Sequence, residues 1–209
     1  MNKTNWIKEE EDNIELFSGL LEEYGQDPKS LNWGSEEKQF LRFKVLKEIG
    51  LSEGDSVLDV GCGLGDFYGW LTNNNIQTNF TGVDITSNMI EHAKTVYPNA
   101  KFECENVLEK KDDDAWKHDY VFASGIFSKR PKSGMEFMEH AIDAMFSLAV
   151  KGVAFNSLSG WADTKEETEF HPDPLQTIEF CRKLTRKVVL RHDYHPGDFT
   201  IYMYREYNE

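Results

Sequence analysis

Val57-Leu58-Asp59-Val60-Gly61-Cys62-Gly63-Leu64-Gly65-Asp66 is the stretch whose reading decides the fold. An apolar run leads into three glycines at alternate positions and then into helix-forming sequence. Glycine permits a tight turn and lets backbone approach a ligand without a Cβ in the way, while a helix N-terminus offers unpaired N–H groups. Strand, loop and helix in that order say far more than glycines alone. A dinucleotide fingerprint, G-x-G-x-x-G, needs its third glycine where Asp66 stands, and here that glycine falls at Gly65. A carboxylate so placed would repel a pyrophosphate, and Asp59, just before the glycines, better suits a cationic amino group. The NAD reading therefore takes second place. A P-loop fails outright, because no Gly-Lys-Ser/Thr follows.

Working outward, short apolar runs alternate with helix-like segments. Strands are expected at Ser56–Val60, Phe80–Val83, Lys101–Cys104, Tyr120–Ala123 and Gly152–Phe155, with helices at Leu64–Asn74, Ser87–Tyr97, Met135–Ala149 and Pro174–Leu184. A loop should join Phe155 to His171. Such alternation implies a parallel sheet with helices on both faces. The chain closes differently. Val188–Arg191 and Phe199–Tyr204 flank the turn His195-Pro196-Gly197-Asp198, and strands joined so tightly must run antiparallel. The expected fold is an open α/β sheet finished by a hairpin.

Before the glycine loop, Ser35 reads as the N-cap of a helix running to about Ile49 and closed by Gly50. Residues 1–30 read as an acidic helical arm, with Trp6, Ile14, Leu16, Phe17, Leu20 and Leu21 at near-helical spacing. Residues 31–209 then form one ligand-binding domain.

Composition narrows the function classes. The 209 residues carry 37 acidic and 23 basic side chains, a formal charge of −14. Nucleic-acid affinity rests on Lys and Arg displacing counterions, so this balance disfavours such a partner. Cys62, Cys104 and Cys181 form no C-x-x-C pair or zinc spacing, and no His/Cys/carboxylate cluster has metal spacing. A reducing compartment and no metal are expected. No apolar run approaches the roughly 20 residues that span a bilayer, and the N-terminus lacks a signal-peptide core. A soluble, cytoplasmic protein is expected.

Phe80-Thr81-Gly82-Val83-Asp84 adds a second signature: an acid at the end of the second strand, 25 positions beyond Asp59, where a ribose-binding carboxylate belongs. Capping of the next helix is its structural alternative, a task that Thr86 or Ser87 could equally perform.

Asp59-x-Gly61-x-Gly63-x-Gly65 followed by Gly82-x-Asp84 closely resembles the class I S-adenosylmethionine-dependent methyltransferases, and the resemblance extends from about Leu31 to Arg205. It implies a Rossmann-like three-layer αβα sandwich. Its seven-stranded, mostly parallel sheet would have the order 3-2-1-4-5-7-6 and end in the antiparallel hairpin. It implies S-adenosyl-L-methionine as cofactor and S-adenosyl-L-homocysteine as product. By this resemblance Gly61, Cys62 and Gly63 line the methionine moiety, Asp84 holds the ribose, and Ile85 and Met89 flank the adenine. The family's adenine-edge acid sits after the third strand. Here Asn106, followed by Val107, holds that place with an amide still able to accept from the adenine amino group. The string from Trp33-Gly34-Ser35 through Arg42-Phe43, with His192-Asp193-Tyr194 before Asp198, is similar to a subgroup of small bacterial and phage methyltransferase-like proteins.

Methyl transfer from a sulfonium needs positioning, exclusion of water and sometimes one base. Ser124 and Gly125 should sit at the carboxyl edge of the fourth strand, beside the transferable methyl, unless they are an ordinary strand-to-loop transition. Arg42 either forks onto the cofactor's carboxylate or is a surface side chain. Trp33 either covers the cofactor or staples its helix. His171 and His195 are the candidate bases, each with solvation as its plain alternative. Lys129, Arg130 and Lys132 could receive an anionic substrate or form a solvated loop. The Asn/Asp-Pro-Pro-Tyr/Phe and Pro-Cys motifs of nucleic-acid methylation are absent. The expected acceptor is a small molecule or a protein side chain. The rivals are a non-catalytic S-adenosylmethionine-binding protein and an NAD-dependent oxidoreductase.

Overall fold

The computed structural model describes residues 3–25, 27, 30, 35–129 and 132–205, with the backbone alone for 3–7. Helices α1 (Lys3–Tyr24) and α2 (Glu36–Lys47) precede β1 (Ser56–Val60), α3 (Asp66–Asn73), β2 (Asn79–Asp84), α4 (Ser87–Val96) and β3 (Lys101–Cys104). Two short 3-10 turns, Val107–Lys110 and Asp114–Trp116, lead into β4 (His118–Ala123), α5 (Gly134–Leu148), β5 (Ala149–Leu158), α6 (Pro174–Leu184), β6 (Val188–Arg191) and β7 (Asp198–Tyr204).

The seven strands form one sheet in the order β3-β2-β1-β4-β5-β7-β6. Strands β1 to β5 pair in parallel, and β7 runs antiparallel to both β5 and β6. The order is the one implied by the resemblance.

Alternating side chains along each strand feed two cores. Leu58 and Val60 of β1, Val121 and Ala123 of β4, and Phe199, Ile201 and Met203 of β7 pack with Phe137, Met138, Ile142 and Met145 of α5. Val57, Phe122 and Tyr202 point the other way, onto Phe43 and Leu46 of α2, Phe67 and Leu71 of α3, and Ile90 of α4. Helices therefore cover both faces, as a sheet buried on both sides requires.

β5 is much longer than Gly152–Phe155. Asn156 and Ser157 suggest a loop by composition, but β7 pairs along β5 as far as Leu158↔Asp198, so these polar residues stay in the ladder and are buried. The arm also departs from its apolar stripe. Leu16 is 41% exposed, whereas Glu9 is 7% exposed and faces inward. The side chain of Trp6 lies outside the described residues.

The chain leaves β1 towards β2 on one side and reaches β4 on the other. That reversal opens a crevice beyond the carboxyl ends of these strands, where open α/β sheets bind ligands. Among the described residues, no helix is long and apolar enough to cross a membrane.

Candidate functional site

The glycine loop folds back over the end of β2. The N–H groups of Gly61 and Cys62 both donate to the Val83 carbonyl, at 2.8 and 3.0 Å. Gly61 adopts φ of +69°, and a Cβ there would lie 2.2 Å from Ile126 Cγ2. Any side chain would both strain the backbone and fill the crevice.

Beside the loop stands Asp84, each carboxylate oxygen already holding one backbone donor. Gly63 N–H donates to Oδ2 at 3.0 Å and Thr86 N–H to Oδ1 at 2.9 Å. One carboxylate thereby ties the loop to the start of α4, whose N-cap, Thr86, makes no side-chain cap bond of its own. Since a carboxylate has about four acceptor positions, Asp84 retains capacity for a ligand diol. Burial raises its pKa against the opposing pull of those backbone bonds.

Two further acids lie close by, and burial disfavours the charged form of each. Asp59, 3% exposed in β1, is pushed well above the usual carboxylate range by desolvation, with Asp84 and Asp66 adding to the rise. Asp66 is raised by burial too, and accepts a 2.9 Å bond from Gln39 Nε2.

A first cavity, holding about 150 Å³ of space, opens above these strand ends. Of the residues predicted for the cofactor, Gly61, Gly63, Asp84, Ile85, Met89, Asn106, Val107 and Ser124 line it. Asp59 and Cys62 do not line it. Cys62 belongs to the core, and a Cβ on Gly82 would meet its Sγ at 2.9 Å. Trp33 lies outside the described residues. Asn106 uses its Oδ1 to cap the turn through Leu108 N–H at 3.0 Å, and its Nδ2 donates to Glu10 Oε1 at 3.4 Å.

Glu10 belongs to α1, and Asn13 and Phe17 of the same helix line the cavity beside it. Their spacing of three and four residues marks one helical face. That signal was present in the sequence, but apolar residues alone do not display it. Asn156 was also missed. Its Oδ1 accepts from Gly125 N–H at 3.0 Å, and its Nδ2 donates to Ser124 Oγ at 2.9 Å, fixing the turn after β4.

A second, more polar cavity of about 460 Å³ adjoins the first, and Phe17 and Gly125 line both. Arg42, His171 and His195 line this second cavity rather than the first. Arg42 Nη2 lies 2.5 Å from Asp198 Oδ2, in a pair almost wholly removed from solvent, and its Nη1 donates to the Lys38 carbonyl at 3.1 Å. A carboxylate of the chain thus occupies the fork expected for the cofactor's carboxylate. His195 Nδ1 sits 3.1 Å from the same Asp198 oxygen.

Hydrogen bonding separates the two histidines. His195 Nδ1 lies 3.1 Å from both the Gly197 N–H, which can only donate, and Asp198 Oδ2, which as a carboxylate can only accept, so the geometry fixes no single tautomer for this ring. The Glu169 carbonyl can only accept, so His171 Nδ1, 3.3 Å away, donates, and a neutral ring leaves Nε2 free of a proton. In the basic loop, Lys129 Nζ pairs with Glu169 at 2.8 Å, and the backbone of Lys132 donates to Glu9 at 3.0 Å. Arg130 lies outside the described residues. Among the described residues no group of three or more His, Cys, Asp or Glu side chains could hold a metal ion.

Comparison with known proteins gives a consistent picture. A family model described as a methyltransferase domain matches residues 57–147. Rv1506c of Mycobacterium tuberculosis, provisionally assigned as a methyltransferase, is 30% identical over 156 residues, covering 70% of this chain and 90% of that protein. Among solved structures, an S-adenosylmethionine-dependent methyltransferase from Archaeoglobus fulgidus superposes with a TM-score of 0.60 at 16% identity, over 82% of this chain and 95% of its own. Magnesium protoporphyrin IX methyltransferase from Synechocystis PCC 6803, with bound S-adenosylhomocysteine, superposes at 0.58 and 14% identity, over 81% of this chain and 83% of its own.

Proposed function

The chain belongs to the class I S-adenosylmethionine-dependent methyltransferase family, and from that premise we propose that it methylates a small molecule or a protein side chain held in the second cavity. Its cofactor is S-adenosylmethionine. When bound, that cofactor supplies a sulfonium methyl open to in-line displacement, with S-adenosylhomocysteine as the product.

The first cavity suits this group on chemical grounds. Asp84 has acceptor capacity for a ribose diol, Ile85, Met89 and Val107 form an apolar wall for a base, and Gly61 and Gly63 leave bare backbone. The acids Asp59, Asp66 and Asp84 make the surroundings favourable for a net cationic ligand. Cys62 acts here as core packing, and Asp59 is a buried acid behind the wall whose ionisation a nearby cation would favour. The proposed catalytic domain spans residues 31–209, and α1 packs against it through Glu9, Asn13 and Ser18.

The observation that carries the reading is the junction of the two cavities at Phe17 and Gly125, beside Ser124 at the carboxyl end of β4. An acceptor in the second cavity would face the methyl across that junction. His171, with Nε2 unprotonated in the neutral ring, is the proposed base. The Arg42–Asp198 ion pair, with His195 beside it, forms the polar wall that orients the acceptor.

The test is transfer of labelled methyl. Protein incubated with methyl-tritiated S-adenosylmethionine and a size-fractionated cell extract should label either a low-mass fraction or a protein band. Tight S-adenosylhomocysteine binding with no label transferred to any fraction would make the protein a binder and overturn the enzymatic reading.

A further inference from the structure

Helix α1 is held to the rest of the molecule by a few specific polar bonds. The Glu9 carboxylate, 7% exposed, accepts from Lys132 N–H at 3.0 Å and from the Ser133 hydroxyl. Ser133 is the N-cap of α5 and makes no side-chain cap bond, so Glu9 brings a remote anion to a helix N-terminus, where negative charge is favoured. Asn13 Nδ2 donates to the Lys129 carbonyl and Ser18 Oγ to Asn88 Oδ1, both at 3.3 Å. Among the described side chains of α1, Glu9 alone is fully buried; Ile14, Phe17, Leu20 and Leu21 are half-buried, and Leu16 faces solvent. A segment with no fully buried apolar side chain among its described residues belongs to the low-stability end of a native structure.

This helix nevertheless forms a wall of the first cavity through Glu10, Asn13 and Phe17. Glu10 meets Asn106 there, next to the apolar patch of Val107 and Leu108. A heteroaromatic base seated on that patch presents its polar edge to this pair. A carboxylate can only accept, so it selects a base edge that donates; a carbonyl at the same place would face its charge. We propose that α1 completes the nucleoside half of the cofactor site: Asn106 Nδ2 donates to Glu10 and holds its carboxylate in place, and Glu10 accepts from the exocyclic amino group of adenine. The arm then lies across the route by which cofactor enters and product leaves, and it lifts during exchange. This inference rests on the cofactor occupying the first cavity.

The probes are S-adenosylhomocysteine and its deaminated analogue S-inosylhomocysteine, which carries a ring carbonyl where adenine has its amine. Titration calorimetry on the full chain should show the wild-type protein preferring the amino form by at least about 30-fold, the scale expected when a charged acceptor loses its donor. Glu10→Gln keeps the shape but can turn either an oxygen or an NH2 to the ligand, so the preference should fall to within about threefold. Hydrogen exchange supplies the second readout: saturating S-adenosylhomocysteine should slow the amides of residues 8–24 by more than about tenfold. Undiminished preference in Glu10→Gln, or none in the wild type, overturns the role of Glu10. Unchanged exchange in the arm on binding overturns the closure. Failure of wild-type protein to bind S-adenosylhomocysteine would instead refute the reading of the first cavity.

Discussion

Replacing Asp84 by Asn separates two tasks that the structure gives to one carboxylate. The wild-type side chain accepts from Gly63 N–H through Oδ2 and from Thr86 N–H through Oδ1. An amide retains one oxygen and turns its NH2 against the other backbone donor, leaving that N–H buried without an acceptor. The unpaired group costs about 1–3 kcal/mol of stability. For a chain of this size, each kcal/mol lowers the melting temperature by about 2–4 °C. Partly offsetting this, the raised pKa of Asp84 shows that its charge is itself disfavoured in the apo site. On the ligand side, the substitution removes a charge-assisted bond to a ribose hydroxyl, worth about 1.5–3 kcal/mol, so S-adenosylhomocysteine should bind about 10- to 150-fold more weakly. Calorimetric titration gives the affinity, and scanning calorimetry of apo protein gives the stability. A lowered melting temperature with unchanged affinity would show that Asp84 only ties the glycine loop to α4, and the ribose assignment would be wrong.

Asp59→Asn should raise the melting temperature of apo protein at pH 7. Its folded-state pKa lies above the unfolded value, so the native state holds the proton more tightly and loses stability as pH rises from about 4 through that folded value; the variant should flatten this slope in a pH series of thermal scans. The same change should weaken S-adenosylmethionine, which carries the sulfonium charge, more than S-adenosylhomocysteine, which does not. Once an acceptor is identified, His171→Gln should lower kcat by about 10²–10⁴-fold with cofactor affinity unchanged, and His195→Gln should act mainly on acceptor KM. The reverse pattern in steady-state kinetics would exchange their roles. Asn156→Ala strips Gly125 N–H and Ser124 Oγ of their partner, so chemical denaturation should show a loss of about 1–3 kcal/mol, accompanied by a fall in transfer rate.

The sheet and the crevice at its carboxyl edge were legible because local pattern and tertiary role coincide there. Alternating apolar residues predict each strand, and the positive-φ glycines can serve little purpose except a tight loop. The same logic found Asp84, a polar residue at a strand end where only a ligand or a cap would call for one. Asn156 escaped because amide residues are commonest in loops, and only the long ladder with β7 keeps this one in a strand. Glu9 and Glu10 escaped for a related reason. In an acidic helix every carboxylate looks solvated, and the two that turn inward are singled out by donors at Lys132, Ser133 and Asn106, about a hundred residues downstream. Arg42 was weighed between a fork for the cofactor's carboxylate and a surface side chain, and its pairing with Asp198 depends on the fold of β7, which local pattern does not display.

That last strand has a bearing on how the molecule comes into being. β7 lies inside the sheet, between β5 and β6, both synthesised before it. Among the described residues β6 pairs with β7 alone, so it has no seat until its successor arrives, and the two pairings of β7 are the last available to a growing chain. The first cavity draws on residues up to Ala141, whereas the second draws on His171, His195 and Asp198. A nascent chain halted before Asp198 would therefore own the parts of a cofactor crevice while lacking a wall of the acceptor chamber, so competence to hold the donor precedes competence to use it.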